Sequence, residues 1–202
     1  MSLRVGVLAS GAGTNLQAIL DRVHGRDGVD VVAVGSNHAG AQALERAGAA
    51  GVPTRVFGAE PDRTARDDAM AAWLLESGVE LVALAGYMQL LSPGFLSAFP
   101  QRVINVHPAL LPAFAGIRAI EQALDYGVKV FGVTVHFVDE GVDTGPIILQ
   151  RAVELPAAAE PEEVSDALRP IEHDLLTEAI RLIARDAVRI DPANPRRVLI
   201  AP

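Results

Sequence analysis

Short β-branched runs alternate along this chain with longer alanine- and leucine-rich segments of helical period, the pattern of a parallel sheet covered by helices. Strands are predicted at Leu3–Ala9, Asp30–Ser36, Thr54–Phe57, Leu81–Ala85, Val103–His107, Gly132–Phe137 and Ile147–Glu154. Helices are predicted at Asn15–Val23, Ala39–Ala50, Pro61–Ser77, Arg118–Tyr126 and Pro161–Ala187. The early strands are separated by crossovers long enough for βαβ units, whereas the last two are joined by a loop alone, so the sheet is expected to turn antiparallel toward its C-terminal end. The expected fold is a Rossmann-like three-layer α/β domain, mostly parallel, of about seven strands, spanning residues 1–202. It would comprise an N-terminal half to about residue 100, a C-terminal half over about 101–190, and a tail over 191–202 whose prolines suit an arm or an edge strand.

An apolar fraction of 50% is enough to fill such a core. The net charge of −8 and a pI near 5.1, with 17 scattered Lys and Arg residues, argue against a nucleic-acid partner, whose binding depends on neutralising phosphates. With no cysteine, disulfides and thiolate chemistry are excluded. The longest apolar stretches fall short of the ~20 residues of a membrane span, and no signal-peptide pattern opens the chain. A soluble cytoplasmic protein acting on small molecules is the expectation.

Ligands of open α/β sheets bind beyond the carboxyl ends of the strands, so polar residues there that packing does not explain are the candidates. The segment "ASGAGTNLQ" follows the first strand and opens a helix. Gly11 and Gly13 let the backbone turn and present N–H groups at a helix N-terminus, which suits a phosphate. It is not the dinucleotide fingerprint, because Leu16 stands where a third glycine is needed and "GSN" ends the second strand in place of a ribose-binding acid. A monophosphate ester fits better; the plainer alternative is a glycine turn in which Thr14 or Asn15 caps the helix.

In "VINVHPALLP", strand alternation points Asn105 and His107 to one face, and Pro108 ends the strand. A lone strand histidine is often a hydrogen-bonded core residue. Together, however, an acid/base active near neutral pH and an amide that can donate to an oxyanion suit chemistry at a carbonyl carbon. The loop "HFVDEGVDTGP" offers Asp139, Glu140 and Asp143; a carboxylate returning toward His107 would orient the imidazole and favour its charged form, and a solvated turn is the alternative. His107, His136 and Asp143 lack helical metal-ligand spacing, so no metal is expected. The bend "LAGYMQLLSP" could wall a pocket or simply close the core. Arg169, Glu172 and His173 lie on the last helix, where a solvated face is the plainer reading.

In order and spacing, "SGAGTNLQ", "LAGYMQLLSP", "INVHPALLP", "GVTVHFVDEGVDTGPIILQ" and the Glu-His at 172–173 resemble the phosphoribosylglycinamide formyltransferases, folate-dependent transformylases of purine biosynthesis. The most specific part is Asn-x-His-Pro with the downstream acidic loop ending Asp-x-Gly-Pro. The resemblance implies the formyltransferase fold, with a nucleotide-binding N-terminal half and a folate-binding, catalytic C-terminal half. It implies 10-formyltetrahydrofolate as co-substrate and Asn105, His107 and Asp143 as the catalytic trio. Gly13, Thr14 and Asn15 would bind phosphoribosylglycinamide, with Arg169 near its phosphate and Glu172 on its ribose hydroxyls. The folate would contact Arg63, Met88, Gln89, Leu90, Leu91, Asn105, Asp139, Glu140, Gly141, Val142 and Asp143. Members of this family occur as monomers or homodimers.

Gln89 stands where members often have arginine, Ala109 where they commonly have serine, Ala115 where many have proline, and Arg118 where some have histidine. None of these touches the trio. The implied reaction is direct transfer, the amine attacking the formyl carbon to give a tetrahedral intermediate, in keeping with a chain that has neither cysteine nor a nucleophile-elbow serine. Three rivals are a formyltetrahydrofolate deformylase, expected to carry an extra N-terminal domain; a methionyl-tRNA formyltransferase, expected to be longer and more basic; and a non-catalytic nucleotide-binding regulator, which would have no use for the trio.

Overall fold

The computed structural model describes residues 2–58 and 60–201. The chain divides into two compact units, residues 1–105 and 106–202.

The first unit holds β1 (Leu3–Leu8), α1 (Thr14–Arg22), β2 (Val29–Ser36), α2 (Gln42–Ala49), β3 (Thr54–Val56), α3 (Arg63–Glu76), β4 (Leu81–Leu84), α4 (Pro93–Ala98) and most of β5 (Val103–His107). Its strands run parallel in the order β3-β2-β1-β4-β5. Val5, Val7 and Leu8 of β1 and Leu81 to Ala83 of β4 have no exposed surface. Such continuous burial is what strands covered on both faces require, and it explains why they read in the sequence as unbroken apolar runs. The chain reverses direction across the sheet between β1 and β4, and that switch point lies where Ser10 and Gly86 follow the two strands. There the Ser10 N–H donates to the Gly86 carbonyl (3.0 Å) and the Ser10 hydroxyl donates to Asn37 Oδ1 (2.6 Å) while accepting from the Met88 N–H (2.9 Å).

The second unit holds α5 (Ala119–Tyr126), β6 (Val130–Phe137), β7 (Ile147–Glu154), α6 (Pro161–Ala184), β8 (Val188–Asp191) and β9 (Asn194–Ile200). β6 and β7 pair antiparallel, as their loop connection implied, and α6 packs on both. β9 meets β7 in parallel through Ile147 and Arg197, and folds back on β8 as an antiparallel hairpin.

Nine strands therefore occur among the described residues, two more than the expected seven or so. The additional pair, β8 and β9, is a C-terminal hairpin that ends the sheet, so of the two readings of the tail the edge strand holds and the arm does not. Its residues are mostly exposed, so they carry no strong inside-outside alternation to read. α4 was missed for a related reason: its six residues are too few to show a helical period, although Ser92, whose hydroxyl accepts from the Phe95 N–H (3.2 Å), and Pro93 give it a normal start. The second helix begins at Gln42, three residues later than predicted, and the last ends at Ala184.

Fully buried Thr134 of β6 fixes the turn that follows β5. Its hydroxyl donates to the Ala109 carbonyl (2.7 Å) and accepts from the Leu111 N–H (3.1 Å) and Gln150 Nε2 (2.9 Å), which exhausts its one donor and two acceptor sites. Thr134→Val keeps the shape but strands two backbone groups. It should lower stability by about 1–3 kcal/mol in urea unfolding; a loss below a few tenths would show that these bonds contribute little.

Candidate active site

His107 closes β5 and is 5% exposed. Its Nδ1 lies 3.3 Å from Asp143 Oδ2, and its Nε2 lies 2.9 Å from the Phe114 carbonyl oxygen. Both neighbours are acceptors, so a proton on either ring nitrogen finds a partner. Asp143 comes from the loop after β6, far along the chain. Its Oδ2 also accepts from the Gly116 N–H (2.8 Å), and its Oδ1 lies 3.5 Å from Nε2 of His136, whose Nδ1 is 2.8 Å from the Phe137 carbonyl. One carboxylate thus gathers two imidazoles and a backbone amide.

That setting decides its ionisation. Burial alone would raise the Asp143 pKa. The hydrogen bonds from His136 and the Gly116 amide, with the charges on His107 and His136, outweigh burial and bring it from 3.8 down to about 2. The backbone is strained here: Asp143 (φ 53°) and Phe114 (φ 55°) occupy the left-handed region, which costs a non-glycine residue roughly 1–3 kcal/mol and persists only where its surroundings impose it.

The loop around Asp143 is tightly closed. The Phe137 N–H donates to the Pro146 carbonyl (2.9 Å), and a Cβ on Gly145 would come within 1.7 Å of the Phe137 oxygen. Asp139 shapes the loop through bonds from the Gly141 N–H (3.1 Å) and the Thr144 hydroxyl (2.6 Å), leaving Glu140, Gly141 and Val142 exposed. Arg196 of the C-terminal hairpin adds a tie to the Thr144 carbonyl (3.0 Å).

Asn105 sits two residues before His107 in β5, half-buried and in register with Leu84 of β4. In the first unit, Gly13 caps α1 in the left-handed conformation (φ 71°) with no side-chain cap bond. Neither Thr14 nor Asn15 is the cap; both lie inside the first helical turn. Gly13 has no room for a side chain, since a Cβ there would lie 2.7 Å from Ala43 Cα. A groove of about 370 Å³ opens beside this turn, lined by Ser10, Gly11, Ala12, His38 and Gln42 among others. Met88 (73%) and Leu90 (57%) of the bend after β4 are exposed, and Arg63 of α3 donates to the Leu91 carbonyl. On α6, exposed Arg169 pairs with Asp166 (2.9 Å), the arrangement of a solvated helix face, while Glu172 three residues on is half-buried.

The sequence did not single out His136 beyond weighing it as a metal ligand, nor Thr134. Their spacing of two in an inward-facing strand was the available signal. The backbone groups of Phe114 and Gly116 leave no trace in residue type. Among the described residues, no cluster of His, Asp and Glu is arranged to hold a metal, and no helix is long and apolar enough to cross a membrane.

Residues 3–180 match the formyl transferase family. Over 189 residues the chain is 42% identical to a phosphoribosylglycinamide formyltransferase of Mycobacterium tuberculosis, covering 93% of this chain and 87% of that one. It is 43% identical to part of the trifunctional purine biosynthetic protein adenosine-3 of Bos taurus, covering 93% of this chain but 19% of that protein, so it spans about a fifth of such relatives. The crystal structure of glycinamide ribonucleotide transformylase 1 from Symbiobacterium toebii is similar throughout, with a TM-score of 0.94 at 50% identity over 100% of this chain and 95% of that one.

Because the Asp143 pKa is depressed on folding, the group contributes stability that is present above its unfolded value near 4 and is lost as the pH falls toward 2. Asp143→Asn should therefore destabilise the protein at pH 7 and progressively less on acidification. Parallel stability-pH curves for the two proteins would contradict the assigned network.

Proposed function

The chain belongs to the formyl transferase family, and from that footing we propose that it transfers the formyl group of 10-formyltetrahydrofolate to the amine of 5'-phosphoribosylglycinamide, giving formylglycinamide ribonucleotide and tetrahydrofolate. The reading places it in the cytoplasm, working on small molecules with no nucleic-acid partner. The observation that carries it is the His107–Asp143 pair at the end of β5, an imidazole with an acceptor beside each ring nitrogen.

The amine's lone pair attacks the formyl carbon, and the carbonyl π electrons move onto oxygen. The Asn105 amide and the His107 imidazolium donate to that oxyanion, and Asp143 holds the imidazolium through Nδ1. The Phe114 carbonyl stands on Nε2 in this structure, so the developing oxyanion replaces it as acceptor as the substrate binds. Collapse breaks the bond between the formyl carbon and N10 of the folate. The proton shed by the amine balances the one taken up by N10, and the His107–Asp143 pair supports the relay. No acyl-enzyme forms. Fixing amine and formyl group together removes most of the entropic cost of a bimolecular encounter.

The remaining residues divide between the two substrates. Gly13, Thr14 and Asn15 receive the phosphoribosyl end at the start of α1, where uncapped N–H groups favour an anion. Arg169 supports the phosphate, and Glu172 takes the ribose hydroxyls. The folate lies on Met88, Gln89, Leu90 and Leu91, with Arg63 also in contact with it and Asp139 to Asp143 against its ring.

Asn105→Ala and His107→Ala should each lower turnover by roughly 10²–10³ or more in protein that still folds, as expected for removal of an oxyanion donor. Loss of the 10-formylfolate absorbance should require phosphoribosylglycinamide. Near-normal rates in either variant would refute the assignment, and formate release independent of the amine would make the protein a deformylase.

A further inference from the structure

Helix α3 carries a charged pair that none of these roles uses. Asp67 has no exposed surface. Its Oδ1 accepts from Arg66 Nε (2.8 Å) and lies 2.7 Å from Arg66 Nη2, while its Oδ2 accepts from the Ser92 N–H (2.5 Å). Arg66, whose side chain is 12% exposed, extends the grip: Nη2 donates to the Leu90 carbonyl (2.9 Å) and Nη1 to Gln89 Oε1 (3.1 Å). Arg63, one turn earlier, holds the Leu91 carbonyl. Four consecutive residues, Gln89 to Ser92, are thus tied to one helix, and the side chains of Met88 and Leu90 are left facing outward.

Burying a carboxylate and a guanidinium is costly unless their remaining hydrogen-bonding sites are filled, and here they are filled by backbone groups and one side-chain carbonyl of a single segment. We propose that Asp67 and Arg66 are positioning residues that preform the Met88–Leu91 wall for the formyl donor, and so set the enzyme's affinity for that co-substrate. The inference rests on the reading of Met88–Leu91 as a folate surface. An untethered apolar bend would have to be ordered by the ligand, and that entropy would be taken from binding; a tethered one does not incur it.

Two variants test this. Asp67→Asn keeps the shape and removes the charge; Arg66→Lys keeps a cation beside Asp67 but cannot span both Leu90 and Gln89. In each, the KM for 10-formyltetrahydrofolate should rise roughly tenfold or more, with kcat and the KM for phosphoribosylglycinamide within about twofold of the parent. Amide hydrogen exchange across 88–92, above all at Ser92, whose N–H Asp67 accepts, should quicken in the free enzyme and slow again when the folate is saturating. Unchanged exchange would overturn the positioning role. Quicker exchange with an unchanged folate KM would instead overturn the folate reading of the segment. A parallel rise in both KM values with a lower melting temperature would reduce the pair to a general structural one and so overturn the proposal. Arg66→Lys keeps the test open should Asp67→Asn fail to fold.

Discussion

The second unit is organised around one acceptor. The Asp143 carboxylate receives His107 from the end of β5, His136 from β6 and the Gly116 amide from the turn between them, so three separate stretches of chain meet on two oxygens. A carboxylate suits this role because it accepts at several positions and donates at none. What surrounds it follows from the need to bring it there. The left-handed backbone at Asp143 and the close approach of Gly145 to Phe137 are both consequences of closing the loop tightly enough to aim the side chain back over the strand end.

In the first unit the equivalent constraint is steric. A parallel sheet presents the carboxyl ends of its strands on one side, and the switch between β1 and β4 leaves an opening there. The turn after β1 leads at once into α1, which starts close against α2. Gly13 permits both, taking the left-handed conformation and leaving no side chain against Ala43. Leu16, which disqualified the dinucleotide motif, has no exposed surface and belongs to the core.

These physical origins explain what the sequence could and could not disclose. The parallel strands were legible because burial on two faces demands uninterrupted apolar residues, and the antiparallel turn at β6–β7 because its linker is too short for a crossover. The meeting of His107 and Asp143 could be anticipated because a polar residue ending an apolar strand and an acidic loop returning toward it are both visible in residue type. The tail hairpin was obscured by its exposure, and α4 by its brevity. The contacts that complete the site were beyond reach for a different reason: the Phe114 carbonyl and the Gly116 amide are backbone groups that any residue would supply. Gln89 shows the converse. It reads as the loss of a positive charge, yet its oxygen accepts from Arg66, which an arginine at that position could not do.

Asp67 and Asp143 set two uses of the same group side by side. Each is an acceptor at the centre of a converging network, but the partners differ in kind. Asp67 is paired with a guanidinium, whose planar fork donates in several directions at once and so reaches the 89–92 segment together with the carboxylate. Asp143 is paired with imidazoles, whose ring nitrogens can donate or accept, where a guanidinium can only donate.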